Sequence, residues 1–539
     1  MVYGNTVYRF RTVRCCRNAF TYIYLKGEFM KHMIRCLAML LCGILLLGLC
    51  ACNNKTPQIP GSTEDNRTLA PTDSVKPEVT NKPEVTTKPE EKPSVPSELK
   101  FENEEFRILA RKESDYYNTE LYITAEAAKS EVDHAVYGRY KLLEDMLGVT
   151  FKIETMTEGD IIKWMNVKSA VSGKDDIYHL VAQHGRYSAI FAINGLVGDW
   201  TQLPYTSISA SWWSQDALKQ WRTLAGSVYM MDGDMSYLSV GQAVGMFFNK
   251  TMLDSSGLEY PYRLVDDGDW TYENFQKYVR QLNDDLDGDQ TGNIKTDKKG
   301  YATGVWRGPM NVVYSTGARW LTVGEDEITV VGKTDHNLSD AFDSYFSFLE
   351  TDGIVITNYG DAEAAFTHNR VAFYDEITLR AAYIKQKARD FGLVPMPKYT
   401  KSVEKNYTFV NAATNIFTIP KAVFNDATSK DMTSAILEYL GYYGQKDVLP
   451  IYYNESLTYG SMSDSQSIRM MGIIRDSLTF DLGYYLINMQ SKVGNFCDIG
   501  NTIADSILHK KGEDREFTTL YDKRISTMTS VLKDWNNLK

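Results

Sequence analysis

Three polar side chains follow directly on an apolar strand in the first half of the chain. The run Ile177 to Ala182 is typical of a buried strand, and His184, Arg186 and Tyr187 come immediately after it. These residues offer fixed hydrogen-bond donors and one aromatic face, which suits a polyhydroxylated ligand. The pattern predicts a ligand-binding loop at these three positions, with an ordinary solvated turn as the alternative.

The same reasoning applies at the ends of two other apolar strands. The strand Phe106 to Ala110 precedes one polar and aromatic group, and the strand Val371 to Phe373 precedes another. The candidate ligand-binding residues in these two groups are Arg111, Tyr116, Tyr117, Tyr374, Asp375 and Glu376. Adjacent residues of an extended strand point to opposite sides, so Asp375 and Glu376 cannot flank one glycosidic bond.

Two further candidates lie in glycine-bounded loops. Trp306, next to Arg307, follows a short strand and could stack on a sugar ring, while Asp234 could accept a hydrogen bond from a hydroxyl group or simply form a turn. Trp212 and Trp213 could also form a sugar platform. A tryptophan in a large α/β body more often packs in the core, so packing is the favoured interpretation for this pair.

The run Asp285-Leu286-Asp287-Gly288-Asp289 places carboxylates at alternating positions, which is the spacing that wraps oxygen ligands around Ca²⁺. The metal-ligand candidates are therefore Asp285, Asp287 and Asp289. The run departs from the EF-hand pattern, because Gln290 replaces the glycine and Thr296 replaces the closing glutamate. A solvated acidic loop without metal is the alternative, and the sequence indicates no other cofactor.

Nothing in the sequence forms a recognised catalytic motif. It contains neither a His-x-x-x-His nor a Cys-x-x-Cys arrangement, and neither a nucleophile elbow nor a phosphate-binding P-loop. The formal net charge of -11 provides no basic surface for nucleic acid. A binding protein without nucleic-acid partners is therefore favoured over an enzyme.

The candidate residues must be positioned by an α/β body that begins near Phe101. Strands at 106–110, 149–153 and 177–182 alternate with helices over about 132–147 and 161–171. This order predicts a parallel sheet with helices on its faces, and such sheets bind ligands at the carboxyl ends of their strands. Thr271 is the predicted N-cap of a helix in the second half, and helices dominate the C-terminal part.

The first 98 residues read as targeting and tethering segments. Residues 1–29 fit neither a signal nor a domain, and Met30 or Met33 is a better start for the basic and apolar signal that ends at Ala51. Small Ala51 before Cys52 matches a bacterial lipobox, so Cys52 is the predicted lipidation site. An uncleaved membrane anchor is the alternative to this signal peptide at 30–51.

Residues 52–98 are rich in Pro, Thr, Lys and Glu and predict a disordered tether, with a recognition peptide as the alternative. Six of the seven cysteines lie in the leader or at its end, and only Cys497 remains in the body. A disulfide within the body is therefore excluded. This composition fits an exported, membrane-anchored protein on the extracellular face of a Gram-positive type of cell.

Several segments along the body resemble the large lipoprotein solute-binding proteins of ABC importers, in the class that includes maltose-binding protein. The segments that carry the resemblance begin at Asp176, Leu203, Trp212, Gly226, Phe247, Asp269, Phe366, Arg370, Gly392 and Ile419. Their order and spacing over about Phe101 to Tyr485 identify the chain as similar to this family.

The resemblance implies an α/β, two-lobed, type II periplasmic-binding-protein-like fold with the ligand cleft between the lobes. Lobe 1 would comprise 101–242 and 412–460, and lobe 2 would comprise 243–411 and 461–539. The implied function is capture of a solute, which we expect to be an oligosaccharide. The protein would act as a monomer and deliver this solute to an ABC permease. A peptide or sugar acid as ligand, a surface-tethered glycoside hydrolase and a partner of a membrane sensor remain as alternatives.

Overall fold

The computed structural model describes residues 91–112, 120–169, 177–333, 335–388, 390–459, 462–486, 496, 498–509 and 515–538. The chain divides into two units, Met1–Thr86 and Thr87–Lys539, and all described residues belong to the second. The predicted signal peptide and lipidation site, with Cys52, lie outside the described residues. Tyr116, Tyr117 and Cys497 also lie outside them.

Two sheets form the framework of this unit. The strands of the described residues are β1 (Glu104–Arg111), β2 (Val149–Met156), β3 (Leu180–His184), β4 (Val244–Asn249), β5 (Lys299–Thr303), β6 (Leu321–Val323), β7 (Ile328–Val330), β8 (Ile354–Ile356), β9 (Val371–Ile377), β10 (Phe391–Pro395), β11 (Thr408–Phe409), β12 (Asn415–Thr418), β13 (Thr458–Tyr459), β14 (Met462–Ser463) and β15 (Leu478–Thr479).

The first sheet has the order β12-β3-β1-β2, and the second has the order β10-β4-β9-β5-β8. In the first sheet β1 runs parallel to β2 and β3, while β12 returns antiparallel to β3. In the second sheet β5, β8 and β9 are parallel, and β4 is antiparallel to β9. The chain therefore passes from the first sheet to the second before β4 and returns to the first at β12.

Helices cover both sheets. Those of the described residues are α1 (Glu131–Leu147), α2 (Glu158–Lys168), α3 (Gly185–Ile193), α4 (Gln215–Trp221), α5 (Leu238–Gly241), α6 (Lys250–Ser255), α7 (Tyr262–Asp266), α8 (Tyr272–Gln281), α9 (Arg307–Ser315), α10 (His336–Leu349), α11 (Tyr359–Thr367), α12 (Ala381–Lys387), α13 (Ala427–Tyr443), α14 (Leu449–Leu457), α15 (Ser465–Asp476), α16 (Leu482–Tyr485), α17 (Asp498–Leu508) and α18 (Phe517–Asn536). None of the helices among these residues is both long and apolar enough to cross a bilayer.

Local sequence signals explain where these helices begin and end. Ser130 and Asp133 form a capping box at the start of α1, and Gly148 ends that helix with a φ of 63°. Thr271 caps α8 as predicted, because its hydroxyl accepts a hydrogen bond from the backbone N–H of Asn274 at 3.4 Å. These caps set the ends of the helices that flank the two sheets.

The C-terminal third contacts both sheets. Helix α13 packs beside α1 on the first sheet, whereas α15 packs on β10 of the second. Helix α14 contacts α1, which follows the first strand of the first sheet, and also contacts α12, which follows β9 of the second sheet. Helices α17 and α18 pack with α10 and complete the second lobe.

The predicted tether extends too far toward the body. Within its described part, Val95 is buried and contributes to the core of the first lobe. The Glu91 carboxylate also accepts a hydrogen bond from the backbone N–H of Ser211 at 3.0 Å. The prediction of disorder is therefore wrong for residues 91–98, because one apolar side chain among the polar residues is enough to dock the segment.

Candidate functional site

A cavity of about 510 Å³ opens where three parallel strands of the second sheet end. Strands β5, β8 and β9 end at Thr303, Ile356 and Ile377, and the segments that follow them supply most of the wall. We call this cavity the lobe-2 cavity. Its wall contains Arg307, Tyr359, Gly360, Glu363, Glu376, Ile377, Leu379, Arg380, Ala382, Tyr383 and Gln386.

An ion pair between Arg307 and Glu376 lies at this wall. One carboxylate oxygen of Glu376 contacts the Arg307 guanidinium, and the other accepts a hydrogen bond from the hydroxyl of Tyr374. The Arg307 guanidinium also lies over the ring of Tyr359, 4.0 Å from its centre. Burial raises the pKa of Glu376, and the neighbouring Arg307 opposes that rise.

A second ion pair lines the same cavity. The guanidinium of Arg380 donates two hydrogen bonds to one carboxylate oxygen of Glu363, at 3.0 and 2.6 Å. Arg380 also lies over the ring of Tyr383, 4.0 Å from its centre. Arg307 and Arg380 are therefore each paired with a glutamate. These two ion pairs make the wall polar, and together they carry no net charge.

Two exposed aromatic side chains lie in or next to the cavity wall along the sequence. Tyr383 belongs to the wall and is 36% exposed, and Trp306, which precedes the wall residue Arg307, is 39% exposed. The hydroxyl oxygen of Tyr359 accepts hydrogen bonds from the backbone N–H groups of Trp306 and Arg307, at 3.0 and 2.7 Å. Tyr359 thus holds the loop that presents Trp306 to solvent.

The start of α9 is held from the opposite side of the sheet by Asp375. Its carboxylate accepts hydrogen bonds from the backbone N–H of Gly308 at 2.8 Å and from the hydroxyl of Tyr301 at 2.9 Å. A Cβ atom at Gly308 would lie 2.8 Å from the side-chain oxygens of Tyr301, Thr303 and Tyr345, so a larger residue there would force these groups to shift. Burial raises the pKa of Asp375 to about 7.

The prediction for the Tyr374 group placed the end of the strand too early. Strand β9 continues to Ile377, so Tyr374, Asp375 and Glu376 lie within the strand and are buried. Asp375 and Glu376 have different partners on opposite faces, as the strand argument requires. Tyr374 orients Glu376 through its hydroxyl, and its buried ring packs near Phe366.

At the matching edge of the first sheet, Arg111 is buried and committed to internal bonds. Its guanidinium donates hydrogen bonds to the Asn415 side-chain oxygen at 3.0 Å and to the backbone carbonyl of Ala413 at 2.6 Å. A third contact, of 3.6 Å, joins it to the carboxylate of Glu158. Arg111 therefore ties β1 to the start of β12, and its predicted contact with a ligand stays a prediction.

His184, Arg186 and Tyr187 begin a helix instead of forming a loop. Strand β3 ends at His184, whose Nδ1 accepts a hydrogen bond from the backbone N–H of Arg186 at 3.3 Å and so caps α3. Burial and, to a lesser extent, the neighbouring Arg111 lower the pKa of His184 to about 3, which keeps the ring neutral. The prediction of a loop here is wrong, because the helix begins directly after the strand, whereas ligand binding by these three residues stays a prediction.

The side chains of these three residues differ in their surroundings. Tyr187 is half-buried, and the nearby carboxylate of Glu158 raises the pKa of its hydroxyl after the larger effect of burial. The buried Nε of Arg186 has no hydrogen-bond partner within the described part of the chain. Arg111 and Glu158 are thus the charged neighbours of the group formed by His184, Arg186 and Tyr187.

Asp234 lies elsewhere and is already paired. Its carboxylate binds the guanidinium of Arg475 and accepts a hydrogen bond from the Gln445 side chain at 2.9 Å. It lines a second cavity of about 520 Å³ between residues of the first lobe and the end of α15. Asp234 is therefore paired with Arg475 at the wall of this cavity, and its role as an acceptor for a sugar hydroxyl stays a prediction.

Trp212 and Trp213 pack in the core, as favoured from the sequence. Both are 1% exposed, and both indole N–H groups donate to the same carboxylate oxygen of Glu438, at 3.3 and 3.4 Å. They do not form a sugar platform.

The three aspartates of the acidic run lie in the loop between α8 and β5, away from the lobe-2 cavity wall. Asp285, Asp287 and Asp289 are exposed, and a fourth carboxylate, that of Asp297, lies within 4.8 Å of theirs. Sequence inspection missed Asp297 because it stands one residue beyond the position at which the EF-hand pattern closes.

Inspection of the sequence also missed Tyr359, Glu363, Arg380 and Tyr383 of the lobe-2 cavity. Tyr359 follows the short strand β8, and Arg380 lies three residues after β9. The strand-end rule would have found both residues if these two strands had been recognised with their correct ends.

Two solved structures share this architecture at low sequence identity. UspC from M. tuberculosis is 12% identical, with 79% of this chain and 100% of that chain covered and a TM-score of 0.51. A family 1 extracellular solute-binding protein from Bifidobacterium longum subsp. infantis is 10% identical, with 79% and 99% covered and a TM-score of 0.51. No family model matches the sequence, and no curated protein matches it.

The two sheets and these similarities define the class of fold. The chain has the α/β, two-lobed fold of type II solute-binding proteins, as its sequence predicts.

Proposed function

We propose that this protein captures an extracellular oligosaccharide and delivers it, as a monomer, to the permease of an ABC importer. The observation that carries the proposal is the lobe-2 cavity at the ends of β5, β8 and β9. Ligands of open α/β sheets bind outside the carboxyl ends of the strands. The two-lobed fold shared with an extracellular solute-binding protein also supports this proposal.

The chemistry of the cavity favours a neutral, polyhydroxylated ligand. Arg307 and Arg380 are each paired with a glutamate, so neither needs a ligand carboxylate for charge balance. Paired guanidinium and carboxylate groups still offer donors and acceptors to hydroxyl groups around a sugar ring. The exposed face of Trp306 suits the apolar face of the same ring.

A thermal-shift screen of the full-length protein tests the ligand class. The panel contains neutral oligosaccharides, uronic-acid oligosaccharides and short peptides. A neutral oligosaccharide at 100 times its dissociation constant should add about 2.7 kcal/mol to the free energy of unfolding. Stabilisation by peptides or uronic acids alone would overturn the neutral-sugar proposal.

Export and anchoring are proposed to depend on Cys52. Ala51 before Cys52 matches the lipobox, and the basic and apolar residues before it match a signal peptide. Cys52→Ser should abolish acyl labelling and release the protein from the membrane or leave its signal uncleaved, whereas Cys50→Ser should do neither. Unchanged acylation of Cys52→Ser would contradict the proposal.

Binding without covalent chemistry is part of the proposal, and the rival functions give different results. A tethered glycoside hydrolase would release reducing sugar from the oligosaccharide that stabilises the protein, whereas a binding protein would leave it intact. Co-purification with a permease would support import, and co-purification with a sensor kinase would support signalling. Size-exclusion chromatography with light scattering measures the molar mass and so tests whether the protein is a monomer.

A further inference from the structure

The loop that joins α8 to β5 gathers four carboxylates around one point. Oxygen atoms of Asp285, Asp287, Asp289 and Asp297 all lie within 4.8 Å of one another. Like charges at this separation repel each other, and a cation between them would remove that repulsion. Asp285, Asp287 and Asp289 are solvent-exposed, so their proximity alone would not indicate an ion.

Asp297 supplies an independent observation. Its side chain is 0% exposed, and one carboxylate oxygen accepts a hydrogen bond from the backbone N–H of Leu286 at 3.2 Å. The other oxygen, Oδ2, is buried and has no hydrogen-bond partner among the described residues. A buried carboxylate oxygen without a partner is costly, and its place beside three other carboxylates indicates a cation as the missing partner.

We propose that this loop binds one Ca²⁺ ion through Asp285, Asp287, Asp289 and Asp297. The gathered side chains offer only oxygen, which is the ligand that hard cations prefer. Alternating aspartates in a loop suit the larger, irregular coordination shell of Ca²⁺, whereas Mg²⁺ requires a smaller octahedral arrangement and retains several waters.

The backbone accounts for both departures from the EF-hand pattern. Gln290 occupies the position usually held by glycine, and it adopts the left-handed conformation that glycine favours, with a φ of 58°. The left-handed conformation raises the free energy of a non-glycine residue by only about 1 kcal/mol, so Gln290 can take the place of the glycine. The closing carboxylate comes from the thirteenth residue, Asp297, instead of the twelfth, Thr296.

The ion would connect the end of α8 to the start of β5. Just outside the loop, Asp284 and Lys298 exchange backbone hydrogen bonds at 3.0 and 2.9 Å. Asp297 adjoins this pairing, and β5 ends near the segment that presents Trp306. We therefore expect Ca²⁺ to stabilise the second lobe without contacting the ligand in the lobe-2 cavity.

Calorimetric titration of EDTA-treated, full-length protein with CaCl₂ tests the proposal. We expect one bound ion per chain with a dissociation constant between about 10⁻⁶ and 10⁻³ M, and a higher melting temperature with CaCl₂ than with MgCl₂. Asp297→Asn preserves the acceptor for Leu286 and should weaken Ca²⁺ binding at least tenfold. Asp343→Asn, on the exposed face of α10, should bind Ca²⁺ like the wild type.

The exposed Asp287 provides a second variant in case Asp297→Asn does not fold. Asp287→Asn removes one carboxylate from the cluster and should also weaken Ca²⁺ binding at least tenfold. Absence of calcium binding by the wild-type protein, with the same melting temperature in CaCl₂ and EDTA, would overturn the proposal. Wild-type calcium affinity in both loop variants would overturn it as well.

Discussion

The two sheets present polar residues at corresponding edges, but they use them differently. At the edge of the first sheet, Arg111 is buried and bonds to Asn415 and to the backbone of Ala413. At the edge of the second sheet, Arg307 and Glu376 form an ion pair that lines an open cavity. The position of a residue at a strand end therefore does not by itself make its side chain available to a ligand.

The difference has a structural cause. Strand β12 returns antiparallel beside β3, so the loop before it reaches the carboxyl edge of the first sheet and occupies the hydrogen-bonding groups there. The second sheet has three parallel strands that end side by side, and the segments after them form a cavity wall. The following predictions test this contrast.

The largest effect is expected for Glu376→Ala. The change leaves the guanidinium of Arg307 largely buried without its carboxylate, which should lower the free energy of unfolding by about 3 to 5 kcal/mol. Urea denaturation of the variant measures this loss. Glu376→Gln, which keeps the shape and the acceptor for Tyr374, should cost less, and a loss below about 1 kcal/mol for Glu376→Ala would contradict the prediction.

The next effect concerns the pH dependence of stability through Asp375. Because burial raises its pKa from 3.8 to about 7, the folded protein retains a proton that the unfolded chain loses. The resulting stabilisation is complete below about pH 4 and is lost as the pH rises to about 7. The wild-type protein should therefore lose stability over this range.

Asp375→Asn removes this titrating carboxyl group. Between about pH 4 and 7, the free energy of unfolding should therefore fall by roughly 1 to 4 kcal/mol less in the variant than in the wild type. Denaturant titrations at several pH values measure the slope. Asp343→Asn is a suitable control because it changes an exposed carboxylate on α10. Identical slopes for the wild type and Asp375→Asn would show that burial does not raise the pKa of Asp375.

A smaller effect is expected for Trp306→Ala. Losing the exposed aromatic face should weaken binding of the sugar found in the screen about tenfold, or about 1.4 kcal/mol, while the melting temperature changes little. Isothermal titration calorimetry measures the affinity, and Trp306→Tyr should restore most of it. Wild-type affinity for Trp306→Ala would place the sugar outside this face of the second lobe.

The smallest effect is expected at the edge of the first sheet. Tyr187→Phe removes a hydroxyl near the carboxylate of Glu158, whose side chain is 40% exposed, so the free energy of unfolding should fall by less than about 1 kcal/mol. Because Tyr187 is not part of the lobe-2 cavity wall, sugar affinity should change by less than about threefold. A tenfold loss of affinity would show that both edges bind the ligand and would remove the contrast between them.

Predictions from short-range patterns agree best with the structure. The cap at Thr271, the glycine end of α1 and the early strands depend on residues within a few positions of each other, so one segment contains the whole signal. The end of β9 was misplaced because its last residues, Tyr374 to Ile377, include polar side chains that resemble a loop. Their partners on α9 and α11 make it favourable to bury them in the strand.

The amino-acid sequence determined the class of fold, since the order of its strands and helices and its apolar spacing require an α/β sheet body. Only the tertiary structure decided which partners the polar residues have. Asp234 finds Arg475 across 241 positions of sequence, and Arg111 finds Asn415 across 304. Hydrogen bonds and ion pairs form between whichever groups packing brings within about 3 Å, and that proximity is a property of the folded chain.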